Sequence, residues 1–214
     1  MFKKLFKRDD KSPKNDAPSI LGLRLGCSFE VDSLMLRLLD DQLVTHKISP
    51  TQLIQAVGLV NLDGVWIYRF YTDDEAFLQV VSNSKNDEDV VDVKLFHFYD
   101  TLNINSDAQW TRLLDQEMGR PSYELEGYHY ERVWTSVEEY HPPVAMQERT
   151  YSEETVGVDQ TDQFTMLFER PIKDGYTESL FLSAEETLDN GDLTRCLVIS
   201  TGITLSPAQL TIHG

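Results

Sequence analysis

The chain has 214 residues, of which 41% are hydrophobic and 10% aromatic, enough apolar material for a folded core. Its formal net charge of −17 at pH 7 excludes general attraction of the body to nucleic-acid phosphates, which depends on Lys and Arg. Two cysteines, Cys27 and Cys196, are too few for a disulfide framework or a Cys-rich zinc site. Apolar runs fall short of the roughly 18 residues of a membrane span and no secretory signal is evident, so we expect a cytoplasmic protein.

The first fourteen residues reverse the charge of the chain, because six basic residues face only Asp9 and Asp10. Apolar side chains recur among them at helical spacing, and a polar linker follows to Pro18. We therefore expect a flexible basic tail over residues 1–18 that makes weak contact with an anionic membrane or an acidic partner. The candidate contact residues are Phe2, Lys3, Lys4, Leu5, Phe6, Lys7 and Arg8. The alternative is a disordered leader that only aids solubility.

The first half of the body begins with one helical pattern and continues as strands. Asp32 and Ser33 form a cap before an apolar stripe that reaches Leu43, which predicts a short helix. Runs rich in β-branched and aromatic residues then predict strands over 54–62, 65–71, 76–82 and 90–99. Asp63-Gly64 predicts the tight turn between the first two of these strands.

A second helix is predicted over 107–118, where Ser106 or Asp107 is the cap and Gly119 and Pro121 follow the end. Further strands are predicted over 123–134, 163–170, 178–184 and 193–200, with turns at Asp174-Gly175 and Asn190-Gly191. The fold class predicted is α+β, with largely antiparallel β-sheets and two or three short helices packed against them. We expect one domain over 19–214; a division into two β-rich halves near 119–122 is left open.

Metal-competent side chains come close in sequence between residues 129 and 148, and His129, Glu138 and His141 are the candidates for a metal-dependent enzyme. Their spacing matches no HExxH helix, and Pro142-Pro143 disfavours a helix at His141, so ordinary loop and strand side chains are favoured. His97 is expected to be a hydrogen-bonded sheet histidine. The acidic run over 86–92 lacks the order of a calcium loop and predicts a solvated turn.

The sequence also lacks the GxSxG, GxxxxGK[ST], GxGxxG and CxxC motifs, so hydrolase, nucleotide-binding and redox interpretations have no support, and no catalytic residue, metal or cofactor is predicted. Aromatic strands could supply a binding surface. Core packing is the simpler interpretation of Trp66, Phe70 and Trp134, which leaves only outward Tyr residues as candidates for contact.

Several blocks of the sequence, in order, carry a family resemblance over about residues 21–210. They are LGLRLG with CSFEVDSLMLRLL, DDEAFLQV, KLFHFYDT, GRPSYELEGYHYERVW and SAEE. Together they resemble the YjfK-like family of uncharacterised bacterial proteins. That family has no established activity, so the resemblance implies no catalytic residues. It implies an accessory role in an envelope-related system, because such genes often neighbour those of phage-shock-A-like and membrane proteins in Gram-negative bacteria.

The leading hypothesis is therefore a non-enzymatic interaction protein of the cytoplasm, peripheral to the inner membrane through its tail. Its expected partner is a protein, with a phage-shock-A-like or membrane protein as the candidate, and not a nucleic acid. The alternative is a metal-dependent enzyme that uses the region of His129, Glu138 and His141. A third hypothesis is a structural oligomer, for which an exposed strand edge is the expected feature.

Overall fold

A computed structural model describes residues 17–152, 158–189 and 192–214, which form twelve strands and two short α-helices. The first six elements are β1 (Ser28–Val31), α1 (Ser33–Leu39), β2 (Thr51–Leu62), β3 (Val65–Thr72), β4 (Ala76–Ser82) and β5 (Val90–Asn103). The next four are α2 (Asp107–Arg112), which continues as a π-helical turn (Leu113–Glu117), β6 (Ser122–Leu125), β7 (Tyr128–Arg132) and β8 (Val144–Ser152). The last four are β9 (Asp159–Pro171), β10 (Thr177–Asp189), β11 (Asp192–Thr204) and β12 (Leu210–His213). Short 3₁₀ turns occur at Asp87–Asp89, Lys173–Gly175 and Pro207–Gln209.

Eight of the strands close into a ring in which neighbouring strands run antiparallel. The order around the ring is β2, β3, β4, β5, β11, β10, β9 and β8, and β8 returns to β2. The closure is short, because residues 56–59 of β2 pair with residues 149–152 of β8. Since successive side chains of a strand point to opposite faces, each strand sends one set of side chains into the ring and the other set outward.

Two hydrophobic cores lie on the outside of this ring. The first covers β2 to β5 and is closed by α1 and β1, with Phe29, Leu39 and Phe70 fully buried in it. The second covers β9 to β11 and is closed by α2 and the β6–β7 hairpin, with Trp110 and Tyr130 among its members. Inside the ring, a small aromatic cluster of Phe77, Phe96 and Phe181 lies beside polar side chains. The buried apolar side chains of the described residues are thus divided among three clusters.

The predicted fold class is wrong, because the described residues form a mainly β structure around a closed ring and not an α+β fold. The helical patterns correspond to short segments: α1 ends at Leu39 and leaves Leu34 and Leu38 exposed. The second helix does begin at its Ser106 cap, whose hydroxyl accepts a hydrogen bond from the backbone N–H of Gln109 (3.2 Å). It loses regular α-helical geometry after Arg112.

The strand predicted over 123–134 is divided into β6 and β7 by a turn at Glu126-Gly127, whereas four other strands extend beyond their apolar runs. β5, β9, β10 and β11 reach 13 or 14 residues because their polar ends remain paired beyond the buried cores. The strand that closes the ring, β8, was not predicted, because its sequence is polar and follows two prolines. The apolar-run criterion therefore detects buried stretches of sheet and misses the polar strand on which closure depends.

The Asp63-Gly64 turn is confirmed, since both residues have positive φ, as a type I′ turn requires. The turn predicted at Asn190-Gly191 and most of the predicted tail lie outside the described residues. A single domain over 19–214 and the division near 119–122 both stay predictions, although strands from either side of 119–122 form the ring. Within the described part of the chain, no helix combines the length and hydropathy needed for a bilayer span.

Candidate functional site

A groove of about 660 Å³ lies on the outer face of the ring where β8, β2 and β3 run side by side. It combines aromatic, basic and amide side chains, and among the described residues no carboxylate lines it. Its lining consists of Pro18, Ser19, Leu59, Asn61, Trp66, Tyr68, Lys85, Gln147, Arg149 and Tyr151. The groove therefore carries two cationic side chains and, within the described part of the chain, no lining acid, although the net charge of the chain is −17.

Strand alternation places these side chains outward. Along β8, Gln147, Arg149 and Tyr151 line the groove, whereas Glu148 between them is buried inside the ring. Contacts that hold Glu148 on the inner side therefore also keep its neighbours Gln147 and Arg149 on the outer face.

A buried polar network holds Glu148. One carboxylate oxygen accepts a hydrogen bond from Nη1 of Arg69 (2.6 Å) and the other accepts one from the hydroxyl of Tyr71 (2.7 Å). Gln163 completes the network, because its carbonyl accepts from Arg69 (2.7 Å) and its amide donates to Glu148 (2.9 Å). Gly58 provides the space, since a Cβ there would lie 1.6 Å from Oε1 of Glu148.

The electrostatics agree with a structural role for this network. Burial works against the charge of Arg69, but the charge of Glu148 and the hydrogen bonds of the network outweigh it and raise the pKa of Arg69. Burial, and then the charge of Glu148, raises the pKa of Tyr71 well above its ordinary value. Arg69 therefore stays charged and Tyr71 stays protonated near neutral pH, as expected for a network that holds β8 against its neighbouring strands.

The two groove cations are differently held. Nζ of Lys85 lies 4.1 Å from the centre of the Trp66 ring, a cation–π contact that fixes it over the aromatic wall. Arg149 is exposed and forms no ion pair with any described residue. Two acids lie beside the groove. Asp162 on β9 accepts a hydrogen bond from the side-chain amide of Gln147 (2.8 Å). Asp87 adds its charge to burial in raising the pKa of Tyr68, and its Oδ1 accepts from the backbone N–H of Leu21 (2.7 Å).

The basic N-terminal segment joins the body at this groove. The described chain begins at Ala17, and the next two residues, Pro18 and Ser19, line the groove. Residues 1–16 hold six Lys and Arg and three Asp. The candidate contact residues Phe2, Lys3, Lys4, Leu5, Phe6, Lys7 and Arg8 lie outside the described residues, so their role stays a prediction.

The structure does not gather the candidate metal ligands. His129 lies exposed on β7, whereas Glu138 and His141 belong to the loop before β8, where Nδ1 of His141 is 2.6 Å from the carbonyl oxygen of Pro142. In the described ranges, no group of three His, Cys, Asp or Glu side chains could hold a metal ion. Nothing in this arrangement favours the metal-dependent enzyme.

Most of the remaining predicted residues have structural roles, and Trp66 is the exception. His97 is buried in β5 with Nε2 3.3 Å from Oδ2 of Asp74, and burial holds its pKa below the ordinary value despite that carboxylate. The acidic run over 86–92 contains an exposed 3₁₀ turn, which agrees with the solvated turn predicted from the sequence. Phe70 is core, but Trp66 is only partly buried and lines the groove.

Sequence reasoning missed the groove because five separate stretches build it, at residues 18–19, 59–61, 66–68, 85 and 147–151. The only available signal was the outward alternation of polar and aromatic residues over 147–151, which is visible once β8 is known to be a strand. The cation Lys85 comes from the β4–β5 turn, and no sequence pattern places it over Trp66.

Comparison with known proteins agrees with the sequence blocks. Residues 1–211 match the family described as "Protein of unknown function (DUF2491)". The chain belongs to this family. It is also similar to "Uncharacterized protein YjfK" of Escherichia coli (strain K12), with 28% identity over 193 residues that cover 88% of this chain and 87% of that protein. The resemblance to the YjfK-like family is confirmed, and no solved structure gives a significant match to the chain.

Proposed function

We propose that this DUF2491 protein is a non-enzymatic interaction protein whose groove, with the basic segment attached to it, binds an acidic segment of a partner protein. The proposal rests on the presence of Lys85, Trp66 and Arg149 in one groove. The same groove is lined by Pro18 and Ser19, which directly follow a segment with six basic residues in the sequence. Complementary charge steers a partner to a surface and fixes its orientation there.

The chemistry of the groove suits a peptide better than a small polar substrate. Trp66 and Tyr151 offer large rigid contact areas, and such aromatic residues are enriched at protein interfaces. The amide of Asn61 can donate to a bound backbone and the carbonyl of Gln147 can accept from it, while the Asn61 carbonyl accepts from the N–H of Gly64 (3.2 Å) and the Gln147 amide donates to Asp162 (2.8 Å). Arg149, which has no ion pair in the described residues, is available for a bidentate contact with a carboxylate.

Under this proposal the protein acts in the cytoplasm as an accessory of an envelope-related system, with a phage-shock-A-like or membrane protein as the candidate partner. Residues 17–214 carry thirteen Lys and Arg against thirty-three Asp and Glu, which opposes nucleic acid as the partner. The basic segment is the part suited to the anionic surface of the inner membrane.

The test compares the full chain with the charge-reversed variant Lys85→Glu/Arg149→Glu and with Arg37→Glu as a control. Arg37 is exposed on α1 and does not line the groove. The probe is a synthetic peptide of Glu and Phe residues, with a Gln-for-Glu analogue as the uncharged reference, and calorimetry measures Kd. We expect the groove variant to weaken binding by about tenfold and the control to change it little.

The contribution of the basic segment is measured separately with a chain that lacks residues 1–16. Sedimentation with anionic liposomes distinguishes a membrane surface from an acidic peptide. If the groove variant binds the peptide as tightly as the full chain, the proposal fails. If only liposome binding is found and it requires residues 1–16, membrane contact replaces the protein partner as the function.

A further inference from the structure

A second concave surface lies beside the β6–β7 hairpin, on residues that do not line the groove. This acidic cleft has a volume of about 820 Å³ and is formed by the π-helical turn after α2, by β6 and by the loop that precedes β8. Its lining includes Glu117, Arg120, Tyr123, Glu124, Glu139 and Tyr140. Three carboxylates therefore meet one guanidinium in the cleft.

The charges of the acidic cleft are unequally compensated. Glu117 is paired with Arg112 (2.7 Å), and Nε of Arg120 donates to the carbonyl of Gln116 (2.9 Å). Glu124 and Glu139 form no ion pair with any residue in the described ranges. These two carboxylates give the cleft a net attraction for cations.

A sheet edge faces the same cleft. In the described part of the chain β6 pairs with β7 alone, through a tight turn at Glu126-Gly127 whose residues both have positive φ. A two-residue turn of this kind makes Leu125 and Tyr128 a hydrogen-bonded pair, and alternation along the ladder then directs the backbone groups of Ser122 and Glu124 away from β7. No described residue accepts or donates a hydrogen bond at these outward groups. The acidic cleft therefore contains an unpaired strand edge.

The walls of the cleft are firmly held. The side chain of Tyr140 donates a hydrogen bond to the carbonyl of Leu114 and so ties the loop to the π-helical turn. Tyr123 packs its ring 5.8 Å from that of Phe168 in the second outer core, which fixes β6 on the ring. A preformed edge of this kind lowers the ordering cost of binding an extended peptide.

We propose that the acidic cleft binds an extended, Lys- or Arg-containing segment of a partner protein, which adds to β6 as a strand. The outward N–H and C=O groups of Ser122 and Glu124 supply backbone hydrogen bonds, and Glu124 and Glu139 select basic side chains. Four residues of β6 span about 14 Å, which suits a segment of four or five residues. The site is independent of the groove, so the protein can hold two partners of opposite charge.

The test uses a synthetic peptide of alternating Lys and Val residues and the full chain. Ser122→Pro removes one outward N–H while leaving the cleft carboxylates in place, and Ser122→Ala is its matched control because it keeps that N–H. We expect Kd to rise about tenfold for Ser122→Pro and to stay within about twofold for Ser122→Ala. Thermal unfolding of both variants checks that the hairpin remains folded.

The charge selection is tested with Glu124→Gln/Glu139→Gln, for which we expect a similar rise in Kd, and with Glu131→Gln as a control on β7. Hydrogen exchange of the unmodified chain provides a measurement without mutation, in which the peptide should slow exchange of the Ser122 and Glu124 amides. Equal binding by Ser122→Pro and Ser122→Ala without slowed exchange would overturn the proposal. Self-association through this edge, abolished by Ser122→Pro, would overturn it in favour of a second copy of the chain.

Discussion

Gly58 is a residue that no sequence pattern marks but on which the closure of the ring depends. It lies opposite Arg69 on β3 and faces the carboxylate of Glu148 on β8. A larger residue would displace Glu148 from Arg69, whose guanidinium is buried with only 2% of its side chain exposed. Breaking a buried ion pair leaves a charge without compensation, and this is more costly than the loss of an exposed pair.

We predict that Gly58→Ala lowers the free energy of unfolding by about 3–5 kcal/mol, because the new methyl group displaces Glu148. Urea denaturation of Gly58→Ala, Glu148→Ala and the double variant measures this as a mutant cycle. In the Glu148→Ala background the added methyl group has space, so Gly58→Ala should cost little there. The coupling should therefore approach the full cost of about 3–5 kcal/mol, and additive effects would show that the two residues do not interact.

Glu185 gives the same network a dependence on pH. Its carboxylate accepts hydrogen bonds from Ser183 (3.0 Å) and from Gln163 (3.3 Å), and it shares the ring interior with Glu148 and Arg69. Burial raises its pKa above the ordinary value of 4.5, and the charge of Glu148 adds to that effect. The unfolded chain therefore releases this proton at lower pH than the folded chain.

It follows that the contribution of Glu185 to stability is complete below pH 4.5 and is lost as the pH rises through its folded pKa. We predict that Glu185→Gln, which keeps the acceptor oxygen, is more stable than the unmodified chain near pH 7 and that the difference disappears toward about pH 4. Denaturation curves across this range measure the effect. Glu88→Gln, at an exposed position, should show no such trend.

At the scale of single elements, the turn between β3 and β4 contains a local strain. Glu75 has φ of 49°, in the left-handed region that most side chains avoid, and its carbonyl accepts the backbone N–H of Phe98 (2.9 Å). The conformation is thus fixed by a hydrogen bond to β5 and not by the preference of the residue.

We predict that Glu75→Asn raises the free energy of unfolding by about 0.5–1 kcal/mol, because Asn tolerates this conformation better than Glu. Thermal denaturation of the variant checks the gain. Glu88→Asn removes the same charge at another exposed position without positive φ, so it separates the backbone effect from the charge effect. A gain of equal size in both variants would assign it to charge alone.

Elements differ in how far the sequence predicts them. β3 and β4 follow their apolar runs closely, because most of their residues contact a core on one face or the other. β8 has one buried residue, Glu148, and a polar outer face, so it lacks the apolar alternation by which strands are recognised. Its strand state is imposed by β2 and β9, which are distant in the chain, and tertiary context of this kind cannot be read locally.

At the scale of the whole molecule, composition and charge predicted a folded, acidic body correctly, while the arrangement of its cores was beyond reach. One apolar set covers the outside of β2 to β5 and another covers the outside of β9 to β11, and the sequence gives no sign of which face of a strand belongs to which core. The groove could not be predicted from the sequence for the same reason, because its cations and aromatic residues come together only when the ring closes.

The whole molecule also shows a division of charge that a net value conceals. The groove is basic and aromatic, the acidic cleft beside β6 has the opposite charge, and none of the residues that the structure describes lines both. Partners of opposite charge would therefore not compete for one surface.

The position of β12 has a consequence for synthesis on the ribosome. β12 pairs with β1, so the first strand gains its second neighbour only after every strand of the ring has been translated. Leu210 and Ile212 of β12 also pack against the first outer core, which stays open along that side in a nascent chain. This core can be completed only after translation. A stalled or truncated chain would therefore expose apolar surface to chaperones and proteases.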